Sequence, residues 1–89
     1  MNAAPLQLAH GIRLQYEQAQ DAWVLLYPEG MVKLNGSAAE ILRRCDGTRD
    51  EDAIVDDLAA SFEGVERAAL QADVGDFLAF ARQHRWVAS

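Results

Sequence analysis

Residues 27–42 read YPEGMVKLNGSAAEIL and combine a turn, a short strand and the start of a helix. Pro28 fixes its own φ for a turn, and the glycine two positions later can adopt conformations that other residues avoid. Residues 31–34 then predict a brief strand. Asn35 or Ser37 can cap the following helix, because a short side-chain oxygen accepts a hydrogen bond from a free backbone N–H group. The chain before this stretch predicts β-structure, and the chain after it predicts helices.

Two further strands are predicted on the N-terminal side of this stretch. Residues 12–17 alternate apolar and polar side chains, which predicts a half-buried strand with Ile12, Leu14 and Tyr16 facing the core. Residues 22–27 are aromatic and branched, and predict a central strand buried on both faces or nearly so. Short connections between the three strands favour an antiparallel meander whose third strand lies at an edge.

From residue 36 onward the apolar residues recur at helical spacing and predict three helices. The first ends at Asp46 and Gly47, and a capping box of Thr48 with Glu51 starts the second. The third runs from about residue 66 to about residue 84. The residues expected to face the core are Ala38, Ile41, Leu42 and Cys45, then Ile54, Val55, Leu58, Ala59 and Phe62, then Leu70, Val74, Phe77, Leu78 and Ala81. Three short antiparallel strands followed by a three-helix bundle predict an α+β, winged-helix-like fold.

Length and charge limit the possible functions. The 89 residues predict an N-terminal tail, residues 1–10, and a single domain, residues 11–88. Asp+Glu 14 against Lys+Arg 8 gives a formal charge of -6, which disfavours binding to nucleic acid or to anionic membranes. The single cysteine, Cys45, excludes an internal disulfide and fits a reducing compartment. With no apolar run of ~20 residues and no signal-like N-terminus, we expect a cytoplasmic protein.

The chemically reactive side chains do not predict an enzyme. Cys45 precedes Asp46 instead of a cation that would lower its pKa. His10 and His84 lie in the predicted tail and at a predicted helix end. Residues 46–52 are acidic but lack the ligand spacing of a calcium loop, and no CxxC or HExxH motif is present. We therefore expect no catalytic residue, no metal and no cofactor. The alternatives are a winged-helix-like DNA-binding regulator and a small enzyme that uses Cys45 or His84.

The predicted third strand suggests a binding function, because it lies at the edge of the meander. Residues 31–34 then expose N–H and C=O groups that have no partner strand. A peptide can add to such an edge as a further strand, with main-chain bonds giving affinity and side-chain pockets giving specificity. The alternative is an edge covered by the protein's own chain. A second copy is another partner for this edge, so we expect a homodimer at high concentration or in crystals.

Residues 27–30 (YPEG), 34–35 (LN), 37–42 (SAAEIL) and 45–48 (CDGT) resemble the PqqD family of pyrroloquinoline quinone biosynthesis. The resemblance spans roughly residues 8–88. It implies a non-catalytic chaperone that binds the ribosomally made precursor peptide and presents it to a radical SAM enzyme. In the wider family of peptide recognition elements, the leader peptide adds beside the third strand and packs against the third helix. The residues of the implied cleft are Met31, Val32, Lys33, Leu34, Val74, Phe77, Leu78, Ala81 and Arg82.

Overall fold

A computed structural model describes residues 4–88 of the protein. The elements in order are β1 (Leu6–Leu8), β2 (Arg13–Glu17), β3 (Ala22–Tyr27), β4 (Gly30–Lys33), α1 (Gly36–Arg43), β5 (Asp46–Arg49), α2 (Glu51–Ser61), α3 (Arg67–Gln83) and β6 (Val87–Ala88). The strands form two antiparallel three-stranded sheets, in the orders β2-β3-β4 and β5-β1-β6. The predicted α+β fold is confirmed, and the second sheet is an addition to it.

The sheet β2-β3-β4 is the predicted meander, with β3 at its centre. The bounds of β3 agree with the prediction, while β4 begins and ends one residue earlier than predicted. Leu25 on β3 is fully buried. Tyr16 on β2 was expected to face the core but is 43% exposed. Its hydroxyl donates a hydrogen bond to the Asp21 carboxylate across the β2–β3 turn, which holds the ring at the outer edge of the sheet.

The second sheet brings the two ends of the described chain together. Leu6–Leu8 lies within the predicted tail but forms β1, which pairs antiparallel with both β5 and β6. Leu6 is 1% exposed, so the tail prediction is wrong for this segment. Residues 1–3 of the predicted tail lie outside the described residues. Val87 in β6 is buried, so the C-terminal segment packs on the core.

The helix starts show which of the predicted caps are used. Asn35 caps α1, where its side chain accepts a hydrogen bond from the Ala38 N–H at 2.8 Å. Asp50 caps α2 by accepting from the Ala53 N–H at 2.9 Å. The predicted capping box is therefore wrong, because pairing with β1 draws Thr48 into β5. The N-terminal cap of α2 moves two residues along the chain as a result.

The core lies between the first sheet and the three helices, and nearly all the predicted inward residues contribute to it. Phe62 and Ala59 are the exceptions among the helical residues: Phe62 follows the last turn of α2 and is 42% exposed, and Ala59 is only partly buried and lies outside the core cluster. Arg44 links α1 to α2 through ion pairs with Glu40 at 2.7 Å and Asp57 at 2.5 Å. The Arg44 guanidinium lowers the pKa of the Asp57 carboxyl through this hydrogen bond. None of the helices within residues 4–88 is long and apolar enough to cross a bilayer.

Candidate functional site

The strand β4 lies at an edge of its sheet and, within residues 4–88, pairs with β3 alone. The Leu34 N–H just beyond β4 donates a hydrogen bond to the Trp23 carbonyl at 2.9 Å. In an antiparallel pair, hydrogen-bonded and non-hydrogen-bonded residues alternate. The main-chain groups of Gly30, Val32 and Leu34 therefore point toward β3.

The main-chain groups of Met31 and Lys33 point the other way, toward the open edge. They offer two N–H donors and two C=O acceptors, spaced roughly 6–7 Å apart along the strand. The Met31 side chain is 54% exposed. Val32, between them, packs against the core, so the Met31 and Lys33 side chains lie on the opposite face of the sheet. A further strand can pair with β4 without breaking any bond that the fold already makes.

Two cavities lie beside β4, one at each end of the strand. The α1 cavity, at the C-terminal end, has a volume of about 610 Å³ and is lined mainly by apolar side chains. The turn cavity, at the N-terminal end, has a volume of about 410 Å³. The α1 cavity is lined by residues 35–38, Glu40, Ile41, Leu58, Phe62, Val65, Leu70, Asp73, Val74 and Phe77. The turn cavity is lined by His10, Ile12, Tyr27, Pro28, Glu29, His84, Arg85 and Trp86.

Four ring side chains connect the two cavities and are called the aromatic strip: Phe77, Phe80, His84 and Trp86. Ring centroids lie 6.4 Å apart for Phe77 and Phe80, 4.1 Å for Phe80 and His84, and 5.4 Å for Phe80 and Trp86. Phe77 lines the α1 cavity, while His84 and Trp86 line the turn cavity. Residues that flank β4 in the chain, Glu29 and Asn35, line these same two cavities, so the order of the cavities along the strip is opposite to their order along β4. We call the β4 edge, the aromatic strip and the two cavities together the edge groove.

The structure brings some of the predicted cleft residues to the edge groove. Met31 and Lys33 supply its open strand edge, and Phe77 forms part of its wall. Val74 lies at the base of the α1 cavity with no exposed surface. Val32 contributes differently, because its main chain bonds to β3 and its side chain packs on the core. Leu34 is likewise bonded to β3 and buried.

The remaining predicted residues of α3 do not reach the groove surface. Leu78 and Ala81 are 0% exposed and support the groove as part of the core. Arg82 lies about 140° around α3 from Phe77, by the periodicity of an α-helix. Its guanidinium is 3.9 Å from the Glu51 carboxylate of α2. Arg82 therefore belongs to the flank of α3 that faces α2.

The prediction of the cleft missed several side chains that line the groove, namely Phe62, Val65, Leu70, Asp73, Phe80, His84, Arg85 and Trp86. Phe80 gave a usable signal, since it is an aromatic residue well off the apolar stripe of the third helix. In the structure it is 45% exposed. Large exposed apolar side chains that cluster beside a cavity are typical of binding surfaces.

The surroundings of Cys45, which lies outside the groove, do not favour reactivity of its thiol. Cys45 is 3% exposed, and its thiol donates to the Ile41 carbonyl at 3.4 Å. Burial raises the pKa of the Cys45 thiol to about 11, and the Asp46 charge adds to the effect. A buried thiol with a raised pKa is a poor nucleophile. Within residues 4–88, no three His, Cys, Asp or Glu side chains are arranged to hold a metal ion.

Comparison with known families identifies the fold and its relatives. Residues 22–87 match the family model described as coenzyme PQQ synthesis protein D (PqqD). The chain belongs to the PqqD family. It is 51% identical to a PqqA binding protein of Azotobacter vinelandii, over 91% of this chain and 86% of the relative. It is 47% identical to a PqqA binding protein of Pseudomonas aeruginosa, over 98% of this chain and 91% of the relative. The family resemblance expected from the sequence is thus confirmed.

Solved structures show the same fold. The PqqD truncation of Methylobacterium extorquens PqqCD, described as a functional, stand-alone recognition element, matches with a TM-score of 0.78 at 27% identity, covering 94% of this PqqD chain and 88% of the other. A lasso peptide synthetase B1, solved with its leader peptide, matches with a TM-score of 0.78 at 22% identity, covering 97% and 100%. PqqD from Xanthomonas campestris is 37% identical but has a TM-score of 0.58, covering 88% and 86%.

Proposed function

We propose that this PqqD chain is a non-catalytic adaptor that binds the precursor peptide of pyrroloquinoline quinone and presents it to a radical SAM enzyme. The peptide adds as a strand to β4 and lies in the edge groove. The single observation that carries the proposal is the pair of outward-facing residues, Met31 and Lys33, beside a groove walled by α3. The relatives named PqqA binding proteins support the identity of the peptide.

The strand edge supplies only part of the affinity. Two outward-facing residues offer four main-chain hydrogen bonds, each worth about 0.5–1.5 kcal/mol net. A flexible peptide loses conformational entropy when it binds, and that loss offsets much of this gain. The α1 cavity supplies the additional free energy, because burying one large apolar side chain of the peptide contributes about 1.5–3 kcal/mol. Phe62, Val65 and Leu70 are the accessible apolar side chains for such a contact.

The adaptor role requires no catalytic group on this chain. Holding the peptide beside its modifying enzyme raises the effective concentration of the reacting segment. Cys45, one of the two residues named in the alternative enzyme hypothesis, is buried and has a raised pKa. The chemistry is therefore assigned to the partner enzyme, and this chain contributes position and specificity.

The first test is amide hydrogen exchange measured by NMR, with and without the precursor peptide. We expect the peptide to slow exchange at the Met31 and Lys33 amides and to shift the signals of the Phe77 ring. The Leu14 and Tyr16 amides, which face outward at the β2 edge of the same sheet, are the matched control and should not change. A bound peptide that leaves Met31 and Lys33 unprotected contradicts strand addition.

The homodimer expected at high concentration or in crystals remains a prediction and needs a separate control. A second copy paired through β4 protects the same two amides without any peptide. Exchange is therefore measured at several protein concentrations before the peptide is added. Protection that depends on protein concentration alone identifies self-association, and protection that follows the peptide identifies the proposed complex.

A further inference from the structure

The two ends of the edge groove carry different charges. Among the described residues, 4–88, Glu40 and Asp73 line the α1 cavity and no basic side chain does. Glu40 is paired with Arg44, whereas Asp73 is in none of the ion pairs found within residues 4–88. The lining of the α1 cavity is therefore acidic, with Asp73 as its uncommitted carboxylate, and the Lys33 cation lies on the strand edge outside this lining.

The turn cavity differs in charge. It is lined by Arg85, Glu29, His10 and His84. Arg85 and Glu29 cancel formally and form no ion pair with each other in this structure. The turn cavity is thus formally neutral, while the α1 cavity is negative.

The backbone of Arg85 adopts a conformation that is energetically unfavourable for residues other than glycine. Arg85 has a φ of 61°, in the left-handed region that glycine prefers. It follows the C-cap of α3, and the next residue, Trp86, donates its N–H to the Ala81 carbonyl at 2.8 Å. This bond is typical of a helix ending that normally carries glycine at the Arg85 position. Strained residues of this kind often occur at ligand sites, and here the strained residue lines the turn cavity.

We propose that the charge difference between the two ends sets the direction in which the peptide lies along β4. The inference rests on the proposed function. A carboxylate of the peptide lies at the turn cavity near Arg85, and a basic side chain lies at the α1 cavity near Asp73. Main-chain hydrogen bonds alone permit a strand to add in either direction. Reversing the peptide brings its carboxylate to Asp73 and its cation to Arg85, which makes both contacts repulsive.

The two ends of the edge groove are far enough apart for their charges to act on the peptide independently. The four residue steps from Gly30 to Leu34 span roughly 13 Å. The Debye length at physiological ionic strength is about 8 Å. Each end therefore interacts mainly with the part of the peptide beside it, and a substitution at one end reports on that end alone.

The test is calorimetric titration of the precursor peptide into the full chain and four variants. Arg85→Gly and Asp73→Asn remove one charge at each end. Arg13→Gln on β2 and Asp76→Asn on α3 are controls that change the net charge equally without lining either cavity. We expect about two- to fivefold weaker binding for Arg85→Gly and for Asp73→Asn, the range of exposed ion pairs. Both controls should stay within about twofold.

Peptide variants identify the interacting groups. One version has every acidic side chain changed to its amide, one has a C-terminal amide, and one has its basic residues changed to Gln. The Arg85→Gly effect should disappear with the acidic-to-amide peptide or the C-terminal amide, which distinguishes a side-chain carboxylate from the chain terminus. The Asp73→Asn effect should disappear with the peptide that lacks basic residues. Such losses are the signature of direct pairing in a double-mutant cycle.

Misfolding does not obscure the result, since Arg85→Gly should raise the melting temperature by relieving the positive φ. Equal weakening by Arg85→Gly and Arg13→Gln overturns the inference, as does an Arg85 effect that persists with a peptide lacking every carboxylate. No binding of the peptide to the unmodified protein overturns the proposed function itself. Binding that is insensitive to all four substitutions overturns only the proposed direction.

Discussion

The sheet β2-β3-β4 has two open edges with the same backbone chemistry and different surroundings. At the β2 edge, the register turns the main-chain groups of Leu14 and Tyr16 outward. The Tyr16 ring packs edge-on against Trp23 with centroids 5.5 Å apart, and its hydroxyl bonds to Asp21. The side chains at this edge thus fold back onto their own sheet.

At the β4 edge, the outward-facing groups lie beside a helix and two cavities. The aromatic strip, which begins on α3 and ends at Trp86 beyond it, connects the two cavities that are lined by residues flanking β4. A row of unpaired main-chain groups occurs at both edges, so it does not by itself make a binding site. The comparison teaches that a neighbouring helix turns an open strand into a groove, because it adds apolar surface and a preferred direction.

The largest expected effect comes from removing one outward-facing donor at β4. Lys33→Pro deletes the N–H and places a ring where the added strand must lie. We expect peptide binding to weaken by at least about tenfold, beyond the single hydrogen bond, because the neighbouring contacts are also displaced. Lys33→Ala is the matched control, since it loses the side chain but keeps the N–H, and it should stay within about threefold. Calorimetric titration measures both.

The two edges can be compared directly by chemical synthesis. An N-methyl group on Lys33 should abolish the gain from its hydrogen bond, whereas an N-methyl group on Tyr16 should leave binding unchanged. Equal losses at the two edges contradict the assignment of the site to β4. Val32→Pro is not a suitable probe, because the Val32 N–H faces β3 and the change disrupts the sheet itself.

An intermediate effect is expected from the apolar wall. Phe62→Ser removes a ring that lines the α1 cavity, and we expect about three- to tenfold weaker peptide binding because less apolar surface is buried. The melting temperature should change little, since Phe62 is half-exposed. Tyr16→Ser removes an aromatic ring of nearly equal exposure at the other edge. If both substitutions weaken binding equally, the α1 cavity has no special role.

The smallest effect on binding is expected at Cys45, which lies away from both edges. Burial raises the pKa of its thiol to about 11 from 9.0. The unfolded chain ionises first as pH rises, so folding stability from this residue is complete below about pH 9 and is lost toward about pH 11. The loss is about 2–3 kcal/mol at most, by the linkage of two pKa units to free energy.

Urea unfolding at pH 7 to 11 tests this linkage in the unmodified protein and in Cys45→Ala. The difference in unfolding free energy between the two proteins should shrink as pH rises, because only the unmodified protein loses the thiol contribution. Peptide binding at pH 7 should be the same for both. If the difference in unfolding free energy between the two proteins stays constant from pH 7 to 11, the proposed rise of the thiol pKa by burial is contradicted.

Some features of the edge groove could be predicted from the sequence, and others depend on the tertiary structure. The edge position of the third strand followed from chain order and short connections, both of which are local properties. The outward direction of Met31 and Lys33 depends on the phase of hydrogen bonding with β3, which the Leu34–Trp23 bond fixes. The flank of α3 that faces the groove depends on how the helix packs, so the cleft implied by the family resemblance grouped Phe77 with Arg82 although they lie on different sides.

The sequence by itself determined β3, the helices and the PqqD family, because side-chain periodicity and turn residues act over a few neighbouring positions. Only the tertiary structure decided the second sheet. Its strands β1, β5 and β6 have 3, 4 and 2 residues, too few for a periodic pattern, and each is stabilised by partners far along the chain. The same distant pairing moved the cap of α2 from Thr48 to Asp50. Short strands take their structure from the partners that the fold brings to them.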